Sequence, residues 1–232
     1  MVGAEAPGGP SAADAFACLA PRVRHNVAMR LADVPHPTSS VCTLALEVVT
    51  AYSSPALVNH CRRSYAWAAA YGVEHGIEFD DELLFVSAML HDVGLVPAFD
   101  NHAVPFEEAG GHVAWVFGAG AGWPLRRRER AAEIIVRHMW DSVDVDDDPE
   151  GFLLEIATGL DISGRNPQWW GAELRADVVA AVPRLGLAEE FTACFASESA
   201  RKPQSSAAAA MTRGIAGRIA ANVLDVDPGR DL

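Results

Sequence analysis

Apolar positions recur along much of the chain at intervals of three and four residues, the spacing of one face of an α-helix. This pattern predicts helices over residues 11–31 and 55–71, and a third helix that begins after Asp80 and contains the run LLFVSAML. A helix that is apolar on nearly every side is a buried one. The third helix is therefore expected to lie in the protein core.

Five further helices are predicted beyond Gly94, over residues 107–117, 124–140, 152–162, 172–182 and 187–197. Residues 141–150 are expected to form a surface loop, because six carboxylates in ten residues repel one another and need water. No stretch shows the sustained alternation of a strand, so the predicted fold class is all-α.

One compact domain is expected, over residues 38–203. Residues 1–37 would form an N-terminal arm and helix, and residues 204–232 a last helix or a flexible tail, since their composition is of low complexity.

The net charge of −13 argues against a nucleic-acid partner, because no excess of basic charge exists to neutralise phosphates. The four cysteines form no C-x-x-C pair, and no run of eighteen uncharged apolar residues occurs. We therefore expect a cytoplasmic protein that does not bind membranes, with reduced thiols and a small-molecule substrate. A homo-oligomer is compatible with the sequence.

Two histidines and two aspartates lie where polar groups enter the predicted core. His60 shares a helix face with apolar residues, His91-Asp92 ends the most apolar helix, and Asp161 closes the apolar run FLLEIATGLDI. Burying an unpaired carboxylate costs free energy, whereas a divalent cation would neutralise both aspartates. Two imidazoles and two carboxylates suit zinc, which we expect, or iron or manganese.

Each of these residues alone is more often structural, but their order and spacing are more specific. A histidine, then His-Asp, then a distant aspartate is the ligand pattern of the HD-domain metalloenzymes, and the chain resembles that superfamily at His60, His91, Asp92 and Asp161. The resemblance implies a helical bundle around a buried metal site.

His138 and His112 raise the question of a second metal, because dinuclear members of that superfamily place ligands between His-Asp and the last aspartate. A second ion would need both histidines, or one of them with Glu107 or Glu108. We favour one ion, with His138 close to the metal-bound water and His112 on the surface. His138 and Glu107 are then the candidate proton shuttles.

The chain resembles the cyanamide hydratase type within this superfamily over residues 38–203. The matching stretches are Asn59-His60, LHDVGL at 90–95, Phe106-Glu107, Arg137-His138, ATGLDISG at 157–164, Pro183-Arg184, Phe191, Glu198 and Lys202-Pro203. This resemblance implies one zinc or other divalent ion that activates water for addition to a small nitrile-like substrate. Trp67, Phe106 and Trp140 could wall an apolar pocket, although core packing also explains them.

Three alternatives stay open at this point. A phosphohydrolase would need basic side chains at the phosphate, but Leu95 stands where a lysine often follows H-D-x-G; Arg62 and Arg63 are expected to point away, and only Arg165 is well placed. A dinuclear-iron oxygenase could use His112 and His138. A binding module without catalysis would be expected to lack a ligand, and all four are present.

Overall fold

The computed structural model describes residues 28–225, and these residues form ten α-helices and no strand. The all-α prediction is thereby confirmed for the described residues. The helices are α1 (Ser40–Tyr52), α2 (Pro55–His75), α3 (Asp81–Leu90), α4 (Phe106–Gly120), α5 (Leu125–Arg137), α6 (Pro149–Ser163), α7 (Ala172–Ala181), α8 (Leu187–Arg201), α9 (Ser206–Thr212) and α10 (Ile215–Ala220).

The N-terminal arm lies outside the described residues, together with most of the helix predicted over residues 11–31. Leu31, the last residue of that predicted helix, begins a single 3₁₀ turn, Leu31–Asp33. The first observed α-helix, α1, was not predicted. Its sequence SVCTLALEVVTAY is rich in β-branched residues, which lower intrinsic helix propensity.

Local capping explains where the central helices begin. The Ser54 hydroxyl accepts a hydrogen bond from the Leu57 N–H and Pro55 opens α2, while the Asp80 carboxylate caps α3 in the same way. The helix α2 ends at Gly76, whose φ of 69° is left-handed and favours glycine.

The helix α2 lies at the centre of the fold and packs against α3, α6 and α8. The helix α3 contacts α1, α2 and α5, and its Leu84, Met89 and Leu90 side chains are fully buried. This confirms the prediction that the apolar third helix lies in the core. The parts of α2, α3 and α6 that carry the candidate ligands are therefore brought together inside the bundle.

The acidic stretch 141–150 is only partly a surface loop, contrary to the prediction. The Asp148 and Glu150 side chains are buried, and both form ion pairs with the Arg130 guanidinium. Asp148 also pairs with Arg137 and caps α6 through the Gly151 N–H. Arginines on α5 neutralise these two carboxylates, so both carboxylates can be buried.

The chain beyond residue 203 packs on the body of the protein through α9 and α10, which contact α8 and α6. After α10, the buried Asn222 side chain donates to the backbone carbonyls of Leu160 and Asp161 near the end of α6. In the described part of the chain, no helix is both long enough and apolar enough to cross a bilayer.

Candidate metal centre

His60 lies in the first half of α2 and is completely buried. It faces α3, α6 and α8, so its imidazole enters the bundle interior from the central helix. Its ring packs edge-on against the rings of His91 and Phe191, with centroids 5.0 and 5.7 Å away. A buried polar ring of this kind needs partners for both of its nitrogens.

His91 and Asp92 occupy the turn that ends α3, and both side chains are buried. Gly94 allows α4 to approach this turn closely, because a Cβ at this position would lie 2.0 Å from the Phe106 carbonyl oxygen. Gly110 has a related role, since a Cβ there would lie 2.9 Å from the carbonyl oxygen of His91. The start of α4 thus clamps the turn in place.

Three ligand atoms from His60, His91 and Asp92 converge in the interior. The two Nε2 atoms are 3.1 Å apart, and each lies 3.2 Å from Oδ2 of Asp92. Atoms with these separations can all lie about 2.0–2.1 Å from one common point, which is the usual distance of nitrogen and oxygen ligands from zinc. These three residues are also the one group in the described chain whose ligand atoms could hold a metal ion together.

The Nδ1 atoms of both histidines are engaged on the sides that face away from the three converging atoms. Nδ1 of His60 donates to the Asp161 carboxylate at 2.7 Å, and Nδ1 of His91 donates to the Ala88 carbonyl at 2.8 Å. A neutral imidazole that donates through Nδ1 presents an unprotonated Nε2, which is the atom that can bind a metal ion. Neither oxygen of Asp92 has a hydrogen-bond donor. Three lone pairs that face one another in a buried site fit a divalent cation.

The electrostatics of the group also favour a positive charge at this point. Burial opposes ionisation of Asp92, but the facing His91 and His60 rings outweigh it and hold the pKa of that carboxyl well below its usual range. Burial likewise opposes protonation of His60, yet Asp161 and Asp92 outweigh it and raise the pKa of that imidazole. A metal ion would supply the positive charge that balances the ionised Asp92 carboxylate.

Asp161, the fourth predicted ligand, lies on the opposite side of His60 from the converging atoms. Its carboxylate contacts Nδ1 of His60, the Arg63 guanidinium and the Trp67 indole N–H. The structure therefore brings three of the four predicted ligands together and places Asp161 behind one of them.

The converging atoms open onto a cavity of about 280 Å³. Its apolar wall includes Phe191 and Phe195 of α8, Ile162 of α6, and Ala210 and Ile215 of the last two helices. Of the three aromatics considered for a pocket wall, Trp140 lines the cavity, whereas Trp67 and Phe106 are buried in the core. Of the α8 aromatics, only Phe191 carried a sequence signal, through the family resemblance.

His138 reaches this cavity from the end of α5. Its Nδ1 donates to the Ile135 carbonyl, and its Nε2 lies 3.9 Å from Oδ1 of Asp92, a separation too long for a hydrogen bond. Burial, followed by the electrostatic effect of the nearby His91 imidazole, lowers the pKa of His138 to about 3. His138 is therefore neutral at physiological pH and presents an unprotonated Nε2.

Glu107 and His112 do not line the cavity. The Glu107 carboxylate is buried, and burial raises its pKa, with Ser206 as a neighbour. His112 is exposed and lies in a separate surface groove with Glu108 and Glu133. In the described chain, only His138 of the two additional histidines lies near Asp92, and the role of Glu107 as a proton shuttle stays a prediction.

The arginines are arranged differently from the prediction. Arg62 is exposed as expected, but Arg63 is completely buried, because a helical step of three residues returns close to the face of His60. Arg165, Arg213 and Arg218 line the mouth of the cavity. The last two were not recognised from the sequence, because residues 204–232 showed no motif that would tie them to the site.

Residues 57–158 match the family model of the HD domain. The matched segment contains His60, His91, Asp92 and His138, and it ends before Asp161. No curated protein matches the chain. The match, with the converging His60, His91 and Asp92, supports the HD-domain superfamily and a metal-dependent activity of the hydrolase type.

Proposed function

We propose that this protein is a metal-dependent hydratase that adds water to a small nitrile-like substrate of the cyanamide type. The observation that carries the proposal is the convergence of His60 Nε2, His91 Nε2 and Asp92 Oδ2 within 3.1–3.2 Å of one another, at a point that opens onto a small and partly apolar cavity. A divalent ion held there, zinc being our first choice, would supply a water molecule that is ionised at neutral pH.

The size and lining of the cavity support a small substrate. Its volume of about 280 Å³ lies just below the usual range for small-molecule sites, about 300–1,000 Å³. The Phe191 and Phe195 rings cover the side next to His60, where they keep bulk water away. A compact, weakly polar molecule such as a nitrile can enter this space.

His138 is the residue that we propose to guide proton movement. Its Nδ1–H is engaged by the Ile135 carbonyl, so its Nε2 is fixed as a hydrogen-bond acceptor on the cavity side. From there it can orient a reacting water or accept an N–H of the substrate. Glu107 lacks this access, because it does not line the cavity.

The test is an assay of the purified protein with cyanamide after loading with zinc, iron or manganese. We expect release of urea, and we expect Asp92→Asn to abolish it. The matched control is Asp147→Asn, the same substitution at an exposed aspartate, which should leave the rate unchanged. A metal-loaded protein that does not convert cyanamide or a related small nitrile would refute the proposed substrate class.

Phosphohydrolysis is the second candidate, and the arginines at the cavity mouth favour it. Arg165 is paired with Glu155, and Arg213 lies 3.4 Å from the exposed Asp141. Arg218 donates to the Arg213 carbonyl and has no carboxylate partner among the described residues. Guanidinium groups in such positions can receive the charge of a phosphate.

The two candidates are separated by assaying nucleotides and phosphomonoesters beside cyanamide. If phosphohydrolysis is the activity, Arg218→Ala should raise KM for the phosphate compound. Turnover of phosphate esters together with failure on nitriles would replace the first proposal by the second.

A further inference from the structure

The Asp161 carboxylate has no free acceptor position. Its Oδ1 accepts from Nε of Arg63 at 2.8 Å and from the Trp67 indole N–H at 2.9 Å. Its Oδ2 accepts from Nη2 of Arg63 at 2.8 Å and from Nδ1 of His60 at 2.7 Å. An ionised carboxylate offers about four lone-pair sites. All of them are used in the completely buried Asp161.

The backbone of Asp161 is held as firmly as its side chain. Its carbonyl oxygen accepts from Nη1 of Arg184 at 2.6 Å and from the Asn222 side-chain amide at 2.9 Å. Arg63 is fixed in turn, because its Nη1 donates to the carbonyls of Val182 and Pro183. Contacts from α2, from the segment after α7 and from the segment after α10 therefore fix the position of this one carboxylate.

We propose that Asp161 is a positioning residue for His60 and does not itself bind the metal, an inference that rests on the metal site proposed above. Its carboxylate keeps the proton of His60 on Nδ1 and sets the plane of the ring. Nε2 of His60 is thereby left unprotonated and directed at His91 and Asp92. A carboxylate behind a metal-binding histidine commonly has this effect.

The other histidines around the cavity obtain the same tautomer from backbone carbonyls three residues earlier. His91 donates to Ala88, and His138 donates to Ile135. Both end their helices, where carbonyls of the last turn lack helical partners. His60 is in the interior of α2, where the carbonyls are already bonded, so its Nδ1–H needs a side-chain acceptor. Asp161 supplies that acceptor.

Direct metal binding by Asp161 would have to break this arrangement. Oδ2 would leave Nδ1 of His60, which would strand a buried N–H, and at least one donor of Arg63 would lose its acceptor. Removing partners from buried polar groups is unfavourable. The arrangement in place satisfies every one of these donors.

The first test is a crystal structure of the whole protein soaked with Co²⁺, in which anomalous scattering locates the ion. We expect Oδ2 of Asp92 at a ligand distance of about 2.0–2.2 Å from the ion. Both Asp161 oxygens should lie well beyond ligand distance. An Asp161 oxygen at ligand distance would overturn the proposal.

The second test compares Co²⁺ binding by Asp161→Asn, Asp92→Asn and the exposed control Asp147→Asn. We expect Asp161→Asn to weaken binding about 10–100-fold without changing the Co²⁺ absorption spectrum, because the ligands stay the same. Asp92→Asn should change the spectrum or abolish binding, and the control should do neither. Equal spectral changes in the Asp161 and Asp92 variants would show that both residues bind the ion.

These measurements separate two kinds of failure. A wild-type protein that binds no Co²⁺ refutes the metal site and this inference together. An ion that is bound with Asp161 as a ligand refutes this inference alone. The crystal measurement needs no variant, so it decides the matter even if Asp161→Asn does not fold.

Discussion

Replacing Arg63 with alanine removes the guanidinium that neutralises Asp161 in the protein interior. Both side chains have no exposed surface, and the guanidinium makes two hydrogen bonds of 2.8 Å to the carboxylate. It also supplies the Nη1 donor for the carbonyls of Val182 and Pro183. The substitution therefore leaves one buried charge and two carbonyls without this partner.

The expected loss of unfolding free energy is large. Breaking a buried ion pair from one side costs about 3–5 kcal/mol, and the two carbonyls add about 1 kcal/mol each where water cannot replace the donor. Typical domains have a total stability of about 5–15 kcal/mol. The Arg63→Ala protein should thus be marginally stable.

The assay is urea unfolding followed by circular dichroism, with Arg62→Ala as the matched control. Arg62 is the adjacent arginine on the same helix but is exposed, so its substitution should change stability by no more than about 0.5 kcal/mol. Adding Asp161→Asn to Arg63→Ala should recover part of the loss, because it removes the orphaned charge. An Arg63→Ala protein within 1 kcal/mol (about fivefold in the folding equilibrium) of the Arg62→Ala protein would refute the reasoning.

Three further predictions concern the close approach of α4, the buried acid of the α5–α6 region and the ion. Gly94→Ala should lower the unfolding free energy by about 1–3 kcal/mol or more, because the added Cβ would overlap the Phe106 carbonyl. The control is Gly217→Ala, which has open space around it and should not destabilise the protein in the same urea titration. Burial opposes ionisation of Asp148, but hydrogen bonds from Arg130 and its other partners outweigh burial and lower the pKa of the carboxyl. The folded carboxyl therefore stays ionised below the unfolded pKa of about 3.8. Acid unfolding curves should show stability lost below about pH 4, and this pH dependence should be weaker in Asp148→Asn. Thermal melts with and without a chelator should differ, by about 2.7 kcal/mol at a metal concentration 100 times Kd, and this difference should vanish in Asp92→Asn.

Periodicity predicted the helices of the bundle well, because each helix that packs against a core needs a long apolar stripe, and that stripe is visible in the sequence. It failed for α1, where β-branched residues weaken the local signal and contacts with α3 stabilise the helix. The buried Asp148 and Glu150 were missed for a related reason. Their arginine partners lie on α5, and sequence alone does not show which charges meet.

The candidate site was predictable where the burial of a residue follows from that of its neighbours in sequence. His91 and Asp92 follow the most apolar helix, so their burial was evident, and His60 lay on an inward face. The different positions of Asp92 and Asp161 relative to His60 were not evident, because both are acids at the ends of apolar helices. It depends on Arg63 and Trp67, which contact Asp161 from a helix about one hundred positions earlier in the chain.

The last two helices contribute cavity residues that are remote in sequence from His60, His91 and Asp92. Arg213, Ile215 and Arg218 form part of the entrance, and they lie beyond the segment that matches the HD domain. Substitutions in the last two helices can therefore change which molecules enter the cavity without altering the three residues that converge inside it.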